Sequence, residues 1–126
     1  MVNYFGSIRQ MKDINNDLYF YKVQPLRNIV NPKDIIVVQD PWILQDFLEY
    51  FTEARAVLPV PDKPFLVAAT DSAVSATLQK KGRIYIYPER NSEFHSPDTK
   101  YVDSLLQTFQ LRKRLIRREP LIWVIE

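Results

Sequence analysis

Residues 35–57 read IIVVQDPWILQDFLEYFTEARAV, and the parsing of this stretch decides the fold. IIVV is an unbroken β-branched run of the kind found in strands buried on both faces. Asp40 and Pro41 then give a helix-start signature. Asp suits the N-cap, and proline at the first helical position gives up an N–H that has no partner there. At 100° per residue, Ile43, Leu44, Phe47, Leu48, Tyr50, Phe51, Ala54 and Val57 share one face, and Asp46, Glu49 and Glu53 gather on the other. The stretch is therefore a buried strand feeding an amphipathic helix over 40–57, the opening of a β-α-β unit.

Downstream, LPVPDKP (58–64) holds three prolines and reads as an extended connector. FLVAA (65–69) reads as a second buried strand, and TDSAVSATLQKKG (70–82) as a short helix capped by Asp71 or Ser72 and stopped by Gly82. RIYIY (83–87) alternates, with Ile84 and Ile86 on one face and Arg83, Tyr85 and Tyr87 on the other. A loop, PERNSEFHSPDT, leads to a last helix over 97–118. Its apolar positions are Tyr101, Val102, Leu105, Leu106, Phe109, Leu115 and Ile116, and Pro120 ends it. LIWVI (121–125) is apolar on both faces and reads as a central strand. Upstream, residues 2–10 and 17–24 flank the turn-prone KDINN and read as an antiparallel hairpin.

The order β-β-β-α-β-α-β-α-β predicts a single compact α/β domain over 1–126. It would hold a mixed, mostly parallel sheet of about six strands, with the hairpin at an edge, and three helices. At 126 residues, 46% of them hydrophobic and 25% charged, the chain has the size and balance of one soluble globular domain. No membrane-spanning run or secretory leader stands out, so a cytoplasmic location and no membrane partner are expected.

Composition removes several chemistries. Without cysteine there are no disulfides, thiol nucleophiles or thiolate zinc sites. The two glycines, Gly6 and Gly82, cannot build a phosphate cradle, which needs several close together. His95 is the only histidine. It has no second histidine for a metal and no nucleophile-elbow glycines to set it against Ser72 and Asp71. No catalytic set, metal site or cofactor is expected.

Three functional classes stay open. The net charge of +2 hides one basic run, Arg112, Lys113, Arg114, Arg117 and Arg118; without it 12 Lys and Arg face 15 Asp and Glu. On the wheel of a 97–118 helix, Arg114, Arg117 and Arg118 point outward, but Arg112 falls within the apolar stripe and Lys113 at its edge. A guanidinium there needs a carboxylate or a partner surface. The first expectation is thus a non-enzymatic accessory protein working through protein–protein contact as a homodimer, with Arg112 and Lys113 meeting Asp46, Glu49 and Glu53. The alternative is a nucleic-acid-binding accessory protein using Arg114, Arg117 and Arg118, with Tyr85 and Tyr87 stacking on bases. A further alternative is a metal-dependent hydrolase or nuclease on Asp40, Asp71 and Glu89.

Overall fold

A computed structural model describes residues 19–89 and 98–126. The expected strand 2–10, the KDINN turn, His95 and the first residue of the expected 97–118 helix lie outside the described residues. A π-helical turn (Tyr19–Val23) runs into α1 (Gln24–Arg27). There follow β1 (Ile35–Val38), α2 (Trp42–Phe51), β2 (Ala56–Pro59), α3 (Pro64–Gln79), β3 (Ile84–Tyr87), α4 (Lys100–Thr108), β4 (Lys113–Arg118) and β5 (Leu121–Ile125). The α/β class stands; among the described residues the sheet has five strands and there are four α-helices.

The sheet order is β2-β1-β3-β5-β4. The first three strands are parallel, with Ile35 level with Ala56 on one side and Ile84 on the other. β5 and β4 join antiparallel, closed by the two-residue turn Glu119-Pro120 with a cis peptide bond. LIWVI is the internal strand expected of it, but its direction is reversed.

Each face of the sheet carries its own core. Ile36, Val38, Tyr85, Tyr87, Ile122 and Val124 pack beneath the π-helical turn, α1 and α2 through Val23, Leu26, Leu44 and Leu48. Ile35, Val37, Ile84, Ile86 and Ile125 pack beneath α3 and α4 through Val74, Val102 and Leu105. β1 and β3 are buried throughout, which accounts for their apolar runs.

Four local expectations are corrected. Residues 17–24 are not a strand where described: Tyr19–Arg27 is helical. The 40–57 helix begins after Pro41 rather than at Asp40 and stops at Phe51. Thr52 is extended (φ −111°, ψ 163°), its hydroxyl donating to the Leu48 carbonyl at 2.6 Å, and 56–59 becomes β2. FLVAA is not a strand. Pro64 starts a sixteen-residue helix that continues through Asp71, which therefore caps nothing. The last helix ends at Thr108, and the basic run is a turn and a strand. Arg and Leu favour helix intrinsically, but the apolar β5 needs an antiparallel neighbour and the tight turn supplies it.

Candidate functional site

The chain leaves β1 toward α2 on one face and leaves β3 toward α4 on the other. The switch point between adjacent parallel strands thus lies at the carboxyl ends of β1 and β3, where open α/β sheets favour ligands. Gln39 and Asp40 follow β1 there, and Pro88 and Glu89 follow β3. Gln39 is fully buried, its Nε2 donating to the Asp98 carbonyl at 3.0 Å and tying β1 to the approach to α4. Asp40 is buried, and Glu89 accepts from the Leu121 N–H at 3.3 Å.

Lys22, which in the sequence is only a basic residue beside the tyrosines of LYFYK, is buried beside this edge. Burial lowers the pKa of its ammonium, against the opposing pull of Glu89 and then Asp40. Its backbone carbonyl accepts from the Tyr87 hydroxyl. The signal for it in the sequence was slight, a single lysine within the aromatic run LYFYKV. Two of the three carboxylates of the hydrolase reading, Asp40 and Glu89, therefore lie near one cation. Asp71 does not join them. It sits midway along α3 and accepts from the Tyr101 hydroxyl of α4 at 2.8 Å. Among the described residues no three His, Asp or Glu side chains form a group able to hold a metal ion.

The basic run lies along the edge of the sheet in and before β4. Arg112 precedes the strand, and its Nε donates to the Glu126 carbonyl at 2.6 Å. Its odd place on a helical wheel disappears because no helix exists there. Lys113 lies 5.0 Å from the centre of the Trp123 ring, a cation–π contact. Arg114 meets the Glu126 carboxylate at 2.6 Å, holding that carboxyl below the usual range, and Arg117 donates to the Glu119 carbonyl at 2.8 Å. Arg114, Arg117 and Arg118 are exposed. Tyr85 and Tyr87 are 1% and 3% exposed beneath α1, with no open ring face for a base. Asp46 and Glu49 on α2, and Glu53 just beyond its end, are exposed, as is Tyr50, which the periodicity puts on the apolar face.

α3 presents the least ordinary surface. Thr70, Val74 and Thr77 bury its inner face, and Thr70 and Thr77 return their hydroxyls to the Leu66 and Ala73 carbonyls at 2.8 and 2.7 Å. Opposite them, at 100° per residue, run Phe65, Ala68, Ala69, Ser72 and Ala76. Phe65 is 68% exposed and Leu66 38%. The sixteen residues hold a single charge, Asp71, engaged by Tyr101 on the α4 side. The outer face of a surface helix is ordinarily its charged face. This one has none.

No family model, curated protein or solved structure matches the chain.

Proposed function

We propose that the chain is a non-enzymatic accessory protein that works through protein–protein contact, with the outer face of α3 as its contact surface. The observation that carries the reading is the uncharged arc of Phe65, Ala68, Ala69, Ser72 and Ala76, which leaves a large aromatic in water at one end. Interface cores are depleted in charge and favour such aromatic anchors. The earlier pairing of Arg112 and Lys113 with Asp46, Glu49 and Glu53 has less to support it, because Arg112 and Lys113 have partners within the chain.

A photo-crosslinking residue at Ser72, compared with one at the exposed Gln24 of α1, tests the reading in cells. Adducts with a defined protein are expected from position 72. Their absence there, or equal yields at both positions, would overturn it.

One observation favours a second reading, nucleic-acid binding: Arg114, Arg117 and Arg118 line one exposed sheet edge. It rests on phosphate contact alone, since Tyr85 and Tyr87 are buried. Neutralising about three phosphates gives a log–log salt slope near −3 on duplex DNA. A salt titration with the wild type and an Arg114→Ala/Arg117→Ala/Arg118→Ala variant decides this, and no retention at low salt removes it.

A further inference from the structure

The two edges of the sheet are finished differently. β2 is four residues long and ends in Pro59, with Pro61 just beyond, and proline blunts an edge against further pairing. β4 is the longest strand, six residues without proline, and no strand covers its outer side among the described residues.

The hydrogen-bond phase fixes what that side offers. The Glu126 N–H donates to the Arg112 carbonyl at 3.3 Å, and an antiparallel ladder alternates from there. Arg112 and Arg114 therefore turn their backbone groups to β5, while Lys113 and Leu115 turn theirs outward. The Lys113 N–H is taken by the Phe109 carbonyl at 2.9 Å. The Lys113 carbonyl and both backbone groups of Leu115 are left for a partner.

The side chains divide between two faces. Arg114 and Arg117 stand opposite Val124 and Ile122, on the side covered by α1 and α2, and Arg112 stands there opposite Glu126. Each spends one nitrogen inside the chain: Arg112 on the Glu126 carbonyl, Arg114 on the Glu126 carboxylate, Arg117 on the Glu119 carbonyl. All three are exposed, and the remaining donors of each fork face solvent. Lys113 and Arg118 add cations on the other face.

Charge selects the occupant. Two copies of β4 laid edge to edge would set the five cations of 112–118 against five more, so repulsion disfavours a second copy. A phosphate backbone serves the arginines but brings no N–H to the Lys113 and Leu115 carbonyls. An extended peptide with carboxylates at every second residue meets both needs. Its main chain continues the ladder, and its carboxylates all fall on the arginine face.

We propose that the outer edge of β4 pairs with an extended acidic segment of another protein, whose alternate carboxylates face Arg112, Arg114 and Arg117. The bulge between Leu115 and Arg117 confines regular pairing to Arg112–Leu115, so the contact is short. The edge is separate from the α3 face and needs nothing from it.

The test is fluorescence anisotropy of a labelled alternating threonine–glutamate octapeptide, titrated with the full chain. Saturable binding is expected, weakened at least ~10-fold when glutamines replace the glutamates, because charge-assisted bonds are lost. A ladder uses the amides along one side of the peptide only. N-methylation of one alternating set of amides should therefore abolish binding, and of the other set should leave it. Leu115→Pro removes an outward N–H at an edge position, where proline is tolerated. It should weaken binding at least ~10-fold with an unchanged circular dichroism spectrum. If that variant does not fold, the methylated peptides decide on the wild type.

No binding of the glutamate peptide overturns the proposal, and so does equal binding of the glutamine peptide. An equal response to the two methylated peptides overturns it too, since charge alone does not tell them apart. A thymidine octanucleotide that binds more tightly than the peptide assigns the edge to nucleic acid instead.

Discussion

Gly82 shows how one residue can be read correctly as important and wrongly as to why. After α3, the Gly82 N–H bonds to the Thr77 carbonyl at 2.8 Å and the Lys81 N–H to the Leu78 carbonyl at 3.1 Å, a Schellman closure. The left-handed position of that motif is usually glycine. Here Lys81 holds it, at φ 64°, and Gly82 has no positive φ. Gly82 is required for a different reason: a Cβ on it would stand 2.4 Å from the Lys33 carbonyl oxygen and 2.7 Å from Thr77 Cγ2. Gly82→Ala is therefore expected to cost about 1–3 kcal/mol as an overpacking change that backbone cannot relieve. Lys81→Gly should stabilise by up to about 1 kcal/mol by releasing a Cβ from the left-handed region. Denaturant melts of the two variants test both signs.

Asp34, which the sequence reading passed over, is buried and anchors the opposite edge of the sheet. Its two carboxylate oxygens accept from the Asn31 and Arg83 N–H groups at 2.7 and 2.8 Å, and its carbonyl accepts from the Arg55 N–H at 2.8 Å.

At the level of elements, what was legible depended on where the apolar pattern came from. β1 and β5 could be read because they are continuous apolar runs, and β3 because its isoleucines and tyrosines alternate. The body of α2 could be read because its outer face is charged. α3 was misread as a strand and a short helix for the reason that makes it the proposed contact surface. Its outer face lacks the charges that would have marked a helical period, and its inner face uses two threonines. β4 was misread because only its pairing with β5 makes it a strand, and pairing is not local information.

Of the candidate site, the sequence could show that Gln39, Asp40 and Glu89 end strands. It could not show Lys22 arriving from a helical turn far away in the chain. The tie between α3 and α4 makes a further prediction. Tyr101→Phe and Asp71→Ala should each cost about 0.5–1.5 kcal/mol, and a double-mutant cycle should show them non-additive because they break the same bond.

For the molecule as a whole, three tyrosines set the alkaline limit. Burial raises the pKa of Tyr87 and Tyr85; for Tyr101 burial comes first and the neighbouring Asp71 adds to it. A raised folded-state pKa means that stability is intact below the unfolded value near 10 and is lost as pH climbs beyond it. Lys22 works in the opposite sense below that limit. Its lowered folded pKa means the unfolded chain binds more protons as pH approaches 10.5, so its burial cost eases there. Stability should thus be flat or rise slightly toward pH 10 and then fall steeply. Tyrosinate absorbance from the buried rings should appear together with the loss of circular dichroism. Tyrosinate signal from all three while the fold persists would contradict their burial.

The reversed direction of β5 has one more consequence, for a chain divided in two. Residues 19–110 contain the whole parallel half, β2-β1-β3 with its helices. Residues 111–126 contain the β4–β5 hairpin, whose strand neighbour outside itself among the described residues is β3. Without the hairpin, β3 would become an edge of four apolar residues with open backbone groups, a template for strand addition. The larger piece alone should aggregate. With a synthetic 111–126 peptide it should remain dispersed, as the peptide adds itself to the open edge by strand augmentation.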